Sequence, residues 1–218
     1  MRKILLVLLL FVSFHSNAQL NSAISFSPFT LFANPIVRFG YEVEFKPKAY
    51  LQAEIGYGRD VKGILSNSSD APFSKFQFRT VLKYKFSEPN AKILYYLFFD
   101  DFLNAYTLHY NVKRTFYYSD ISDMTYDKVD VNIKKLGFNI GNGFEVKLIQ
   151  RFYVDFYFGL GIAKRSVVYK NGVNPILHYR NSITSGLSQY EEPISRNVLS
   201  VKSGINIVYK LGIIHSNK

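Results

Sequence analysis

The sequence predicts an all-β fold: an eight-stranded antiparallel up-and-down transmembrane β-barrel. Three observations predict it. First, segment after segment alternates apolar and polar residues with a period of two, which gives a strand one apolar and one polar face. The pattern is clear over 198–211. Leu199, Val201, Ile205, Ile207, Tyr209 and Leu211 share one parity, interrupted by Ser203, and Ser200, Lys202, Gly204, Asn206 and Lys210 share the other. Second, the connections between segments alternate long and short, as outer-membrane barrels require. Third, the chain opens like an exported one, and no later stretch is long enough to cross a membrane as a helix.

The opening consists of Arg2 and Lys3, an apolar run from Ile4 to Val12 extended by Ser13 and Phe14, and the small-residue end Ser16-Asn17-Ala18. This reads as a signal peptide over 1–18, followed by a barrel domain over 19–218 and an outer-membrane location. The run is shorter than the roughly 20 apolar residues of a membrane-spanning helix. A closed barrel is the other form that satisfies every backbone N–H and C=O inside lipid. The chain has no cysteine, which excludes a lipoprotein anchor, a disulfide framework and thiol chemistry. The net charge is +11, with cations scattered along the strands. That scatter argues against nucleic acid, and for anionic lipid head groups and charges paired inside a barrel.

The elements follow in order. A first strand is expected from Leu20 to about Phe29, then a short connection, 30–34. Over 35–46, Val37, Phe39, Tyr41, Val43 and Phe45 oppose Arg38, Gly40, Glu42, Glu44 and Lys46, and Pro47 marks a tight turn. The next strand begins at Ala49 and precedes a polar stretch ending at Pro72. In 74–86, Phe76, Phe78, Thr80, Leu82, Tyr84 and Phe86 oppose Lys75, Gln77, Arg79, Lys83 and Lys85, with Val81 on their side. Ser87-Glu88-Pro89-Asn90 is a turn. Residues 92–112 are aromatic, and their alternation slips at Asp100-Asp101, where a bulge is expected. Two strands, 129–148 and 152–170, are joined by the short turn 149–151. The segments 113–128 and 171–195 are expected as long outer loops, with both termini on the periplasmic side.

The polar parity combines small and charged residues. Gly56, Gly58, Gly141, Gly143, Gly159, Gly161 and Gly204 leave room in a narrow lumen. Arg38, Glu42, Glu44, Glu54, Arg79, Lys83, Glu145, Lys147, Asp155 and Lys202 are expected to form an interior charge network. Side chains fill so small a barrel, and mutual pairing makes buried charge tolerable, so a plugged interior without an open pore is expected.

These residues resemble a family. Phe39-Gly40-Tyr41-Glu42, Gly56-Tyr57-Gly58, Leu82-Lys83-Tyr84-Lys85-Phe86, Gly159-Leu160-Gly161 and Gly204-Ile205-Asn206-Ile207-Val208-Tyr209 are similar to small outer-membrane barrels common in Bacteroidota. Many of those carry a domain of unknown function. More broadly the pattern resembles eight-stranded barrels of the OmpA and OmpX type. The last strand also resembles the signal read by the barrel-assembly machinery, through Lys202, Gly204, Ile207 and Tyr209. Such barrels often end on an aromatic residue, whereas this chain runs on to Lys218.

Other chemistry is thinly represented. His15, His109, His178 and His215 lack metal-ligand spacing, so no metal and no cofactor are expected. The Gly-x-Gly pairs lie inside strands and open no helix, so they form no dinucleotide fingerprint. Tyr95, Tyr96, Phe98, Phe99, Phe116, Tyr117 and Tyr118 are expected as interfacial girdles and lipid contacts. The expected role is structural or surface-interactive, through 113–128 and 171–195. The expected partners are outer-membrane lipids, lipopolysaccharide and the assembly machinery, with no nucleic acid. An alternative is a lipid A-modifying enzyme using His109, or His178 with Ser182, Ser185 and Ser188. Another is a soluble periplasmic barrel for a lipophile, which calls for an apolar inner face.

Overall fold

A computed structural model describes residues 21–28, 36–59, 73–87, 91–111, 113–119, 122–179 and 195–211. The signal-peptide segment 1–18, the 30–34 connection, Ser182, Ser185, Ser188 and His215 lie outside the described residues, as does the His178 side chain.

Eight antiparallel strands close into a barrel. They are β1 (Ser22–Phe26), β2 (Val37–Lys46), β3 (Ala49–Arg59), β4 (Phe73–Lys85), β5 (Ile93–Tyr110), β8 (Lys128–Ile149), β9 (Phe152–Val173) and β11 (Ser195–Lys210). Each pairs with its neighbour in chain order, and β11 returns to β1 through Ala23–Lys210 and Phe26–Ile207. The remaining strands, β6 (Arg114–Ser119), β7 (Ser122–Tyr126) and β10 (Ile176–Tyr179), form a separate three-stranded sheet.

Period-two alternation dictates what each face meets. Outward residues include Phe39, Leu51, Ile55, Phe76, Phe78, Leu82, Leu97, Phe99, Leu136, Phe138, Ile140, Leu160, Ile162 and Val201, all exposed. Inward residues include the buried Arg38, Glu42, Glu54, Arg79, Lys83, Lys85, Asp100, Glu145 and Asp155. A water-soluble protein reverses this arrangement. On β8 the apolar outer band runs from Leu136 to Leu148. At about 3.3 Å per residue and a typical tilt near 40°, that is about 30 Å of height, enough for the hydrocarbon of a bilayer.

The turns lie at one end. Lys48, with φ of 67°, closes the β2–β3 turn after Pro47, and residues 150–151 close β8–β9. At the other end β5, β8 and β9 rise beyond the apolar band, and the small sheet sits beside them. This corrects the reading of 113–128 and 171–195 as plain loops: β6 and β7 fall within the first, and the end of β9 and β10 within the second. Asn174, with φ of 51°, makes the bend between β9 and β10, and Asn171, with φ of 53°, lies near the end of β9 at the register shift against β8; asparagine enters this backbone region readily.

A second correction concerns β5. Its register against β4 and β8 is continuous from Ile93 to Tyr110 on the β8 side, with no bulge at Asp100-Asp101. Tyr96, Phe98, Asp100 and Phe102 point inward and are buried, while Tyr95, Phe99 and Asp101 point outward. Tyr96 and Phe98 are therefore lumen residues and not lipid contacts. Glycines on the facing strands make space for them. A Cβ on Gly159 would lie 2.8 Å from the Phe98 ring, and one on Gly143 would overlap Tyr96. Asp101 is spared isolation on the apolar face by a hydrogen bond from the Thr80 hydroxyl.

Candidate functional site

The lumen is the chemically dense part of the protein. Near the turn end, Glu42 receives Lys83 Nζ at 2.8 Å and Lys85 Nζ at 2.6 Å. Lys85 also reaches Glu145 at 2.7 Å, and Lys210 approaches that carboxylate at 3.5 Å. Lys83 lies 3.6 Å from Asp155, which accepts hydrogen bonds from Tyr96 Oη at 2.5 Å and Asn206 Nδ2 at 3.1 Å. Higher up, Arg79 donates to Glu54 at 2.9 Å through Nη1 and to Asp100 at 2.6 Å through Nε. Lys202 contacts Asp100 as well. Arg38 lies 3.4 Å from Glu54 and donates to Ser27 Oγ at 3.0 Å and Tyr157 Oη at 2.7 Å. Gln52 joins Ser25 at 3.0 Å to Glu54 at 2.8 Å. Cation–aromatic contacts tighten the lattice: Arg79 lies 5.2 Å from the Tyr157 ring centre and Lys83 4.8 Å from that of Tyr96.

The geometry thus brings together Arg38, Glu42, Glu54, Arg79, Lys83, Glu145, Asp155 and Lys202. It leaves out Glu44 and Lys147. Glu44 sits at the rim, where it accepts from Asn21 Nδ2 at 2.5 Å and from the Lys48 amide at 3.1 Å, so it caps the β2–β3 turn. Lys147 is half-buried at the same rim beside the register shift between Lys147 and Ile149, and its amide donates to the Lys92 carbonyl at 2.9 Å. Sequence reasoning does not single out Lys85, Asp100 and Lys210, nor the hydroxyl and amide links Tyr96, Tyr157, Gln52 and Asn206. Lys85 and Lys210 have the inward parity, and parity is the available signal for them.

On β11 the four assembly-signal positions divide between the faces. Lys202 and Gly204 point inward, and Ile207 and Tyr209 outward, with Tyr209 packed 4.9 Å from the Phe152 ring. A groove of about 440 Å³ on the outer wall is lined by Asn142, Phe144, Phe156, Phe158, Ser203 and Ile205 among others.

Above the apolar band, His109 Nδ1 lies 2.7 Å from Asp130 Oδ1, and Asn171 Nδ2 donates to Asp130 Oδ2 at 2.6 Å. Partial desolvation pushes the Asp130 carboxyl up, but the hydrogen bonds from Asn171 and His109 outweigh it and hold the group below its usual range. His178 stands opposite Asp123 in the β10–β7 pairing.

No protein-family model and no curated protein matches this chain. Among solved structures it is similar to a major outer membrane protein from Thermus thermophilus, at 12% identity. The likeness covers 87% of this chain and 99% of that one, with a TM-score of 0.45.

Proposed function

We propose that the protein is an outer-membrane β-barrel with a structural or surface-interaction role and a lumen closed by its own side chains. The observation that carries this reading is the inversion of the two faces. Large apolar residues are exposed around the whole wall, while five carboxylates and their cations are buried inside. In water the outer face would drive aggregation, whereas in a bilayer it is the stable arrangement. The inner charges argue against carriage of a lipophile. The pairs that cross the lumen join every strand of the barrel, β1 through Ser25, so ions would have to break them to pass.

Residues 1–18 are then the export signal. Lipids and lipopolysaccharide surround the wall, and the assembly machinery reads β11. The small sheet and the tall ends of β5, β8 and β9 form the surface that a partner meets. Cell fractionation, an SDS gel run with and without boiling, and planar-bilayer recording test the reading together. A heat-shifted band in the outer-membrane fraction with no conductance steps is expected. An unshifted periplasmic protein, or a steady channel, would overturn it.

One observation favours a second reading as a lipid A-modifying enzyme. The His109–Asp130 pair, above the apolar band, has the geometry of a base held by its orienting carboxylate. Incubation with lipopolysaccharide followed by mass spectrometry of its acyl chains tests it, and unchanged chains reject it.

A further inference from the structure

Two polar side chains interrupt the apolar band at its middle. On β8, Asn142 is the centre of the outward row, with Leu136, Phe138 and Ile140 above it and Phe144 and Leu148 below, all exposed. On β11, Ser203 is the centre of a second such row, between Leu199 and Val201 above and Ile205 and Ile207 below. Asn142 and Ser203 are themselves exposed. The register makes them one feature. Each stands directly opposite Phe158 of β9, so amide and hydroxyl share a rung, two strand spacings or about 10 Å apart.

Neither side chain has a hydrogen-bond partner among the described residues. Elsewhere on the wall an outward polar group is answered, as Asp101 is by the Thr80 hydroxyl. Hydrocarbon tails neither donate nor accept, so a bare amide at mid-membrane is costly. The groove of about 440 Å³ lies around this rung, with Phe144, Phe156, Phe158 and Ile205 in its lining. A lipid tail fills such a volume but leaves the polar groups unpaired.

We propose that this face is where a second copy of the chain docks, side by side in the membrane, with β9 at a two-fold axis. The proposal rests on the reading of the protein as a membrane barrel. The polar pair singles out a like partner. An amide and a hydroxyl each donate and accept, so the rung is complementary to itself, as an isologous contact requires. Rotation about an axis along the membrane normal turns β8 of one copy towards β11 of the other. Each copy then presents its amide on the side where the other presents its hydroxyl, and each groove receives apolar side chains from the facing wall. Asparagine and serine join spanning segments in this way inside lipid.

The test uses the full barrel refolded into phosphatidylcholine vesicles, where lipid tails and a second copy are the occupants on offer. The chain has no cysteine, so a single one reports position cleanly. Leu160→Cys lies outward on β9, two residues above Phe158, and Ile55→Cys lies outward on β3, on the opposite side of the ring. With an oxidant and excess lipid, a disulfide-linked dimer is expected from Leu160→Cys and not from Ile55→Cys. Energy transfer between fluorescently labelled barrels, followed on dilution with lipid, gives the dissociation constant. Asn142→Leu combined with Ser203→Val should weaken association about tenfold or more, by removing the hydrogen bonds at both ends of the rung. Both positions face lipid in a monomer, so the double variant should keep its heat-shifted band. A folded barrel that stays monomeric, dimers linked equally well through Ile55→Cys, or association that the double variant leaves unchanged overturns the proposal and leaves the membrane reading standing. A chain that fails to enter vesicles overturns both.

Discussion

Replacing Arg79 by alanine removes the centre of the upper lumen network. Arg79 is 2% exposed and makes two charge-assisted hydrogen bonds, at 2.6 Å to Asp100 and 2.9 Å to Glu54. Breaking a buried ion pair from one side costs about 3–5 kcal/mol, because the partner charge is left behind. Two carboxylates are left here, but neither is abandoned. Glu54 keeps Arg38 and Gln52, and Asp100 keeps Lys202. The lower end of that range, about 3 kcal/mol, is therefore expected. Lys164→Ala, an exposed outward position near the same height, should cost no more than about 0.5 kcal/mol. Denaturant titration of the barrel in vesicles, followed by the heat-dependent gel shift, measures both. If Arg79→Ala destabilises no more than Lys164→Ala, the lumen pairs are not holding the barrel together and the reasoning fails.

Two further outcomes follow from the geometry. A Cβ on Gly204 would overlap the Tyr157 ring, so Gly204→Val should lower the yield of refolded barrel, and by less in a Tyr157→Ala background. Equal losses in both backgrounds would separate Gly204 from that ring. The lowered Asp130 carboxyl sets a direction for pH. A group whose folded pKa is depressed contributes stability above its unfolded pKa, about 3.9, and loses it as pH falls through the folded value. Amide exchange at the tips of β5, β8 and β9 should therefore accelerate in that acidic window. In Asp130→Asn the same amides should show no such step, and a persisting step would point to another group.

Legibility in the sequence varied with what each strand face carries. β2, β4, β9 and β11 have apolar residues on one parity and charge or glycine on the other, so their registers and faces were plain. β5 defeats that logic. It carries aromatics on both parities, and its two aspartates fall one on each face. Periodicity alone cannot separate a lumen tyrosine from a membrane-facing one. The decisive partners are the glycines Gly141, Gly143 and Gly159 on other strands, whose missing side chains make the space that Tyr96 and Phe98 fill. Glu44 and Lys147 carried the inward parity yet lie at the rim, where a turn and a register shift capture them. Parity reports direction, not height. The meeting of Lys135, Arg165 and Arg196 on one rung was hidden for a related reason, since it depends on the register between three strands.

The wall of the barrel is uneven. β1 has 5 residues and β2 has 10, whereas β8 and β9 have 22 each. A crossing uses about 9–11 residues of strand, so about half of β8 and β9 stands clear of the bilayer while β2 is spent within it. Among the described strands the upper ends therefore differ in height, β8 and β9 standing well above β2. Backbone hydrogen bonds in the upper halves of β8 and β9 are therefore exposed to water, while those of the lower halves are shielded by lipid.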